Sequence, residues 1–362
     1  GWFAFMPGKW RVGLVGIGRG SGYGRLLCEE PRCDVVACCD QNPESLERFG
    51  KTLALGDEGL FTDYEEFLNC GLDIVFLGTP IPVHAEQTVK AVEAGCHVLS
   101  EVTASDTLEG CGQIVEAVRR TGRSYMLAEN CIYWHFVSQW QDMVQAGDLG
   151  RILYAECEYL HPIPTLIYNR ETGEGKWRFN RAPLHYCTHS LGPILDITGD
   201  RVTRVSGIGQ GHRVLPEAPI GGIDIQVALM ETERGMIIKL LRTSVMPRRP
   251  AIHFYSLHGT EGYLETDRQG PSGSGLVYIE GEMERDQPGD FPKNDPTLPE
   301  SAQAGGHGTC EYTLVQDFLA SLECGTRPRI DEVRAMEMTI PGLVAHESAM
   351  RNGEWLDVPA VG

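Results

Sequence analysis

The fold of the first third of the chain is decided by one stretch, Val12-Gly13-Leu14-Val15-Gly16-Ile17-Gly18-Arg19-Gly20-Ser21. Its apolar start predicts a buried strand, and its glycine-rich end leads into a predicted helix. In such a strand–turn–helix, Gly16 permits the tight turn and Gly18 lets a pyrophosphate approach the backbone at the helix N-terminus. Ser21 stands where the third glycine of this motif usually lies, and its side chain is nearly as small. The stretch predicts a dinucleotide-binding turn.

Asp40 strengthens that prediction. It ends the second apolar run, 22 residues after Gly18, where a carboxylate can accept hydrogen bonds from the adenosine ribose hydroxyls. Gln41, Asn42 and Pro43 follow it, with no arginine to receive a 2′-phosphate, so NAD is favoured over NADP. The alternative is a surface Asp40 that caps the next helix.

The alternation of apolar runs with amphipathic stretches predicts a doubly wound parallel sheet, a Rossmann domain over residues 9–130. Helices are predicted at Val83–Ala94 and Leu108–Thr121, the second opened by a capping box of Asp106 and Glu109. The predicted strands are Arg11–Val15, Val35–Cys39, Asp73–Leu77, His97–Glu101 and Ser124–Leu127.

The rhythm changes after about Asn130, and residues 131–359 predict an α+β domain with a large, mostly antiparallel open sheet and helices on one face. Tight turns at Thr232–Gly235 and Gly259–Gly262 join consecutive strands, which indicates antiparallel pairing. Residues 286–306 predict an irregular segment, either a mobile surface loop or a lid. The predicted helices are Tyr133–Ala146, Tyr312–Leu322 and Glu332–Arg351, and the predicted strands are Arg151–His161, Thr203–Gly209, Ile223–Glu231, Gly235–Arg242, Ile252–Gly259 and Gly262–Thr266.

Charge and composition exclude several classes of protein. The 362 residues include 50 acidic and 31 basic side chains, a net charge of −19, which disfavours nucleic acid and anionic membranes as partners. No apolar run approaches the roughly 20 residues that span a bilayer, and residues 1–8 lack the basic start of a signal peptide. The twelve cysteines are scattered without a C-x-x-C pair, which favours reduced thiols. We therefore expect a cytoplasmic protein.

Two further segments resemble a known family. Gly78-Thr79-Pro80 is followed by His84, and the fourth predicted strand ends in Glu101-Val102-Thr103. These segments resemble the TP-x-x-x-H and E-K-P segments of the Gfo/Idh/MocA family of sugar oxidoreductases. The resemblance implies that Thr79, Pro80, His84 and Glu101 lie at the cofactor. Val102 replaces the lysine that is a usual catalytic group of the family's dehydrogenases.

One branch of that family is more similar, the NAD-dependent glycosidases of glycoside hydrolase family 109. The resemblance covers nearly the whole chain and implies that Tyr159, His161 and His189 act on a sugar. It also implies that Asn130 lies at the cofactor and that Tyr186 and His307 contact substrate. Trp177, Arg178 and His185 are further candidate substrate contacts. The segments that carry it are Glu101-Val-Thr-Ala, Ala128-Glu129-Asn130-Cys131, Tyr159-Leu-His161, Tyr186-Cys-Thr-His189-Ser-Leu-Gly-Pro193 and Gly305-Gly-His307-Gly308.

The spacing of these residues agrees with a common site. Tyr159 and His161 are two apart on a predicted strand, so both emerge from one face. His185 and His189 are four apart near the start of a helical run and are expected to share a face. Such a pair is also half of a metal site, but no Cys or carboxylate is arranged in the sequence to complete it, and we predict no metal.

Two interpretations are open for each of the other basic side chains. His307 is either a turn residue or a substrate ligand. Lys176, Arg178 and Arg181 around Trp177 either bind sugar hydroxyls or are exposed charges.

The chemistry that the resemblance implies starts with hydride transfer from a pyranoside C3 to NAD while a base takes the hydroxyl proton. His189 is the first candidate base, since imidazole titrates near neutrality; Tyr159, oriented by His161, is the alternative. Two outcomes are open: net oxidation to a 3-keto glycoside, which we favour, and a redox-neutral glycosidase. A sugar- or NAD-sensing regulator without catalysis is a third hypothesis, which the loss of lysine at Val102 would fit. A homo-oligomer formed through the C-terminal sheet is also expected.

Overall fold

We describe the protein from a computed structural model, which covers residues 8–216, 222–268 and 274–361. The side chains of residues 19–21 lie outside this description, so the predicted role of Ser21 is not addressed by it. The chain forms two compact units. The first contains the described residues up to Ala128 together with Pro296–Ala335, and the second contains Glu129–Asp295 and the residues from Met336 onward. The predicted boundary at 130/131 had placed 296–335 in the second domain.

Within the described residues, the first unit contains a six-stranded, fully parallel sheet in the order β3-β2-β1-β4-β5-β6. The central strand β4 is apolar and buried throughout, as a parallel sheet between helices requires. The predicted doubly wound sheet is confirmed. Its strands are β1 (Trp10–Val15), β2 (Cys33–Cys39), β3 (Leu60–Phe61), β4 (Ile74–Leu77), β5 (His97–Ser100) and β6 (Tyr125–Leu127).

The helices of this unit begin close to the predicted residues, but one cap differs. Thr107 Oγ1 accepts the Gly110 amide at 3.0 Å and caps the helix that starts at Leu108, so the predicted cap at Asp106 is wrong by one residue. Thr107 has the extended backbone that an N-cap needs. The helices are α1 (Ile17–Glu29), α2 (Pro43–Thr52), α3 (Tyr64–Leu68), α4 (His84–Glu93), α5 (Leu108–Thr121) and, later in the chain, α9 (Cys310–Cys324).

The second unit contains a nine-stranded sheet over the described residues, in the order β14-β13-β12-β11-β7-β10-β9-β8-β15. All neighbours pair antiparallel except β7 and β10, so the predicted architecture is confirmed. The strands are β7 (Ile152–Leu160), β8 (Val202–Gly211), β9 (Ile223–Thr232), β10 (Ile237–Thr243), β11 (Ile252–Gly259), β12 (Gly262–Thr266), β13 (Ser274–Ile279), β14 (Gln287–Asp290) and β15 (Leu356–Asp357). β14 lies inside the segment predicted to be irregular.

The second unit's helices are α6 (His135–Ala146), α7 (Pro164–Ile167), α8 (Thr188–Thr198) and most of α10 (Glu332–Met350), whose first four residues belong to the first unit. Helix α8 packs on β7 and β11. Because side chains alternate between faces along a strand, Tyr159 on β7 shares its face with its neighbours Arg242 on β10 and His253 on β11. Among the helices of the described residues, none is both long and apolar enough to cross a membrane.

Candidate functional site

In the first unit, the start of α1 has the form of a phosphate cradle. Gly16 has φ 77° and ψ 71°, a left-handed conformation that favours glycine. A Cβ atom at Gly16 would lie 2.5 Å from the Thr79 amide nitrogen, whereas one at Gly18 would meet no atom within 4 Å. The first turn of α1 is therefore open at Gly18 and closely backed at Gly16. The N-terminus of a helix with accessible backbone favours an anionic group, so these residues fit a dinucleotide pyrophosphate.

Asp40 follows β2 and lies beside this cradle. Its Oδ2 accepts the Ile17 amide at 3.2 Å, and its Oδ1 accepts the Asn42 amide at 2.9 Å. The cap of α2 is Asn42, whose side chain accepts the amides of Glu44 and Ser45, so capping does not explain Asp40. Each carboxylate oxygen retains acceptor capacity for a ribose hydroxyl.

His84, predicted at the cofactor, is fully buried at the first residue of α4. Its Nε2 lies 2.7 Å from the Thr79 carbonyl and its Nδ1 2.7 Å from the Thr103 carbonyl. Burial lowers the pKa of His84, and a neutral ring donates to one of these carbonyls at a time. Both nitrogens face backbone, so His84 holds the segments after β4 and β5 together.

The remaining predicted cofactor residues lie at neighbouring chain positions. Thr79 Oγ1 donates to Gln87 Oε1 at 2.6 Å, and Pro80 immediately precedes a short 3₁₀ helix, Ile81–Val83. Glu101 follows β5, where its Oε2 accepts the Val102 amide at 3.3 Å. Val102 itself is buried, so the position of the family's lysine is an apolar contact here.

In the second unit, the structure brings together four of the predicted side chains. Tyr159 Oη and His161 Nδ1 are 2.6 Å apart, and Tyr186 Oη and His189 Nε2 are 3.2 Å apart. The rings of Tyr159 and His189 pack edge to face at 5.7 Å. Two tyrosine–histidine pairs therefore lie side by side, one at the end of β7 and one at the first turn of α8. Each pair can pass a proton between a phenol and an imidazole.

Glu129 is the first functional residue that sequence reasoning missed. It is fully buried, and its Oε1 lies 2.7 Å from His189 Nδ1. A carboxylate there holds the proton of a neutral imidazole on Nδ1 and leaves Nε2 as an acceptor. Glu129 stood inside the motif that was quoted for its resemblance, but nothing in the sequence shows which histidine it meets.

Arg242 and His253 were also missed, and they flank Tyr159 on neighbouring strands. The Arg242 guanidinium lies 4.2 Å from the centre of the Tyr159 ring, and the His253 ring stacks on Tyr159 at 3.8 Å. Arg242 is 3% exposed, and its Nη1 donates to the carbonyls of Tyr159 and Thr243. A buried cation against this ring favours negative charge on it. Their contact with Tyr159 follows from the strand register, which the sequence alone does not give.

Burial also sets the charge of these neighbours. The pKa of His253 is well below its ordinary value because the ring is desolvated, and His189 and Lys293 add to this. His253 is therefore neutral at physiological pH. Burial lowers the pKa of Arg242 as well, with the neighbouring Tyr159 acting against that shift.

His185 does not join the cluster in the way the spacing predicted. It ends a 3₁₀ helix, Pro183–His185, whereas α8 begins at Thr188, so His185 and His189 do not share a helix face. The ring of His185 packs against His346 at 4.6 Å. Burial lowers the pKa of His185 to about 3.

The other predicted substrate residues are Trp177, Arg178 and His307. Trp177 and Arg178 are partly exposed in the 3₁₀ helix Trp177–Asn180, with the guanidinium 4.3 Å from the indole centre. His307 belongs to the first unit, where its exposed ring lies 2.6 Å from the buried Glu311 carboxylate.

The sequence indicated neither a thiol nor a carboxylate that could complete a metal site at His189, and the structure corrects this. Besides Glu129, Cys131 lies there, with its Sγ 3.4 Å from His189 Nδ1. Asn130, predicted at the cofactor, begins the 3₁₀ helix Asn130–Tyr133 that carries Cys131.

Two domain families match consecutive parts of the chain. Residues 10–129 match the oxidoreductase family with an NAD-binding Rossmann fold, Gfo/Idh/MocA, and residues 137–265 match the Gfo/Idh/MocA C-terminal domain.

Individual proteins are also similar over most of the chain. A glycosyl hydrolase family 109 protein of Saccharopolyspora erythraea is 26% identical over 96% of this chain and 82% of its own. One from Shewanella pealeana is 31% identical over 70% of this chain and 62% of its own. The solved structure of a levoglucosan dehydrogenase with NADH and L-sorbose shares the fold, with TM-score 0.84 and 19% identity over 98% of this chain and all of that chain. The chain therefore belongs to the Gfo/Idh/MocA family of NAD-binding oxidoreductases.

Proposed function

We propose that this protein oxidises the C3 hydroxyl of a pyranoside, forming a 3-keto glycoside, NADH and a proton. The observation that carries the proposal is the pair of tyrosine–histidine contacts, Tyr159 with His161 and Tyr186 with His189, on one side of the second unit's sheet. The family 109 relatives and the levoglucosan dehydrogenase support a sugar as the substrate class.

His189 is the group that we assign to the hydroxyl proton. Glu129 accepts from its Nδ1, so Nε2 carries the lone pair that receives the proton. As the imidazole becomes charged, the buried Glu129 carboxylate stabilises the positive charge. Bound NAD would accept the hydride from the sugar carbon and, in a redox-neutral reaction, return it.

Tyr159 is the second base of the proposal. His161 Nδ1 lies at hydrogen-bond distance from its hydroxyl, and the Arg242 cation faces its ring. Both contacts favour loss of the phenol proton. A second base of this kind is what removal of the acidic C2 proton of a 3-ketone would need.

That second pair favours one alternative, the redox-neutral glycosidase. After C3 oxidation, loss of the C2 proton would expel the C1 substituent, and addition of water and reduction would complete hydrolysis. A dehydrogenase that stops at the ketone needs one base, whereas this cluster offers two. A sensing regulator is the remaining hypothesis, and such a protein needs neither of these two bases.

The test is a product assay on a panel of aryl and alkyl glycosides with added NAD, followed by NADH absorbance and by chromatography. A 3-keto glycoside with intact aglycone and stoichiometric NADH would establish the dehydrogenase. Free aglycone without NADH, with solvent deuterium at C2 of the sugar, would establish the glycosidase and overturn net oxidation.

Substitution of the base separates an enzyme from a sensor. We expect His189→Ala to abolish turnover while NAD binding persists. His258→Ala is the matched control, since His258 lies on the opposite face of the same sheet. If His189→Ala turns over at the parent rate, the assignment of His189 is wrong.

A further inference from the structure

We propose that Glu129, Cys131 and His189 form a binding site for a divalent cation of the Zn²⁺ class, and that its occupancy prevents His189 from accepting a proton. Each residue offers one ligand atom, and these atoms lie within 4.8 Å of one another. The metal-binding part stands on this geometry alone. The effect on His189 rests on the proposed function.

The three side chains are held on well-packed elements of one unit. Glu129 and Cys131 flank the first residue of a 3₁₀ helix, and His189 lies in the first turn of α8. Glu129 and Cys131 are 0% and 2% exposed, and the His189 side chain is 14% exposed. The ligand set is therefore largely preorganised, and its remaining opening is on the imidazole side.

One oxygen of Glu129 lacks a partner. Oε1 accepts the Cys131 amide at 3.2 Å and also meets His189 Nδ1. Oε2 is buried with no hydrogen-bond partner among the described residues. A buried carboxylate oxygen left in this way is costly, and a bound cation beside the imidazole and the thiol would satisfy it.

The donor set selects the ion. Thiolate, imidazole and carboxylate together are typical ligands of Zn²⁺, whereas Mg²⁺ and Ca²⁺ prefer oxygen alone. Tetrahedral bonds of about 2.0–2.3 Å place ligand atoms roughly 3.3–3.8 Å apart. The separation of 3.4 Å between Cys131 Sγ and His189 Nδ1 already fits, while the 2.7 Å between Glu129 Oε1 and His189 Nδ1 must lengthen by roughly 0.6 Å or more. Three protein ligands leave a fourth position for water or a substrate oxygen.

Metal binding would change the protonation of His189. A cation on Nδ1 leaves the ring proton on Nε2, which then donates to Tyr186 Oη, now 3.2 Å away. The imidazole has no lone pair left for a substrate proton. Binding also releases the proton of the Cys131 thiol, so affinity should rise with pH.

The test is titration of the metal-free full chain with Co²⁺, whose bond to a thiolate gives a charge-transfer band in the near ultraviolet. We expect this band to saturate at one ion per chain and to be displaced by Zn²⁺. It should be absent in Cys131→Ser, with affinity reduced at least about tenfold, since loss of even an outer partner costs that much.

The control is Cys28→Ser/Cys324→Ser, which removes two exposed thiols far along the chain from Cys131 and should keep the band. NAD affinity, measured on every variant, reports that the chain is folded. Glu129→Gln provides a second variant, which should weaken binding while its thiol remains.

Persistence of the band in Cys131→Ser, its loss in Cys28→Ser/Cys324→Ser, or no saturable binding in the parent would each overturn the site. None of these measurements needs a sugar, so failure of the proposed function would not affect them. If the site holds Zn²⁺ but turnover on an identified glycoside is unchanged at saturation, the effect on His189 is wrong.

Discussion

At the scale of single residues, the pair of Glu129 and His189 governs the proposed chemistry. The carboxylate is fully buried and meets the imidazole on the nitrogen that faces away from Tyr186. It therefore decides which ring nitrogen carries the proton, and it acts through His189 as a positioning residue.

We expect Glu129→Gln to lower kcat by about 10²–10⁴-fold, with a much smaller change in KM, because the variant disables His189 and proton transfer usually contributes that much. A glutamine amide can donate to Nδ1, which moves the imidazole proton to Nε2. Steady-state kinetics on an identified glycoside measures this. Glu231→Gln, an exposed carboxylate paired with Arg204, serves as the control. A parent kcat in Glu129→Gln would refute the role.

His185 makes stability depend on pH. Its pKa is about 3 in the folded protein because the ring is buried, against about 6.5 when it is exposed. Between these values the unfolded chain binds a proton that the folded chain does not. The free energy of unfolding therefore falls as pH drops from about 6.5 towards 3. The depressed pKa of His253 adds to the same trend.

We expect the unfolding free energy of His185→Asn to fall less steeply between pH 7 and pH 5 than that of the parent. Urea unfolding at a series of pH values measures the slope, with His258→Asn as the control. Equal slopes in His185→Asn and the parent would show that His185 is not buried and neutral.

At the scale of elements, a threonine and not the neighbouring aspartate determines where α5 begins. Thr107→Ala removes the acceptor of the Gly110 amide and should cost about 0.5–2 kcal/mol. Asp106→Ala should cost less, because Asp106 precedes the cap. Thermal unfolding gives the stability, and hydrogen exchange of the Gly110 amide should accelerate in Thr107→Ala alone. If Asp106→Ala lost more stability than Thr107→Ala, Asp106 would be the cap.

The two glycines at the start of α1 should respond differently to alanine. At Gly16 the left-handed backbone and the nearby Thr79 amide leave no room for a Cβ, so Gly16→Ala should lose both stability and NAD affinity. At Gly18 the helix has open space, so Gly18→Ala should gain up to about 1 kcal/mol in stability. The same variant should bind NAD more weakly. Calorimetry and fluorescence titration with NAD separate the two effects. Unchanged NAD affinity in both variants would contradict the cradle.

At the scale of the whole molecule, one face of the second unit's sheet carries exposed apolar side chains on β8, β9 and β10. The strand register places Ile208, Leu229 and Ile237 on the same face, opposite to Tyr159. They are 69%, 44% and 49% exposed. Apolar side chains clustered on a sheet face are typical of an interface, and we propose that the homo-oligomer expected from the sequence forms here.

We expect Leu229→Lys/Ile237→Lys to dissociate that oligomer without unfolding it, since both side chains lie outside the core. Analytical ultracentrifugation at several concentrations gives the mass. Met350→Lys, at an exposed apolar residue on α10, is the control. A monomeric parent chain at micromolar concentration would refute the proposal.

The sequence alone determined the architecture, the cofactor and, to within two residues, the bounds of the elements it predicted. The glycines near Gly16, the carboxylate at Asp40 and the alternation of apolar runs are local signals, set by backbone sterics and by burial of one face of each element. Helix α5 and strands β11 and β12 begin and end where the pattern predicts. β3, β13, β14 and β15 were not predicted; β3 and β15 have two residues each, and such short strands carry no periodic signal.

The tertiary structure alone decided how the predicted side chains combine. Glu129 meets His189 across 60 residues of sequence, and Arg242 and His253 meet Tyr159 through strand register. His185 and His189 are close in sequence but are separated by a break between two helices. The physical reason is that local pattern fixes which face of an element is buried, whereas the partner across that face depends on register and packing between segments distant in the chain.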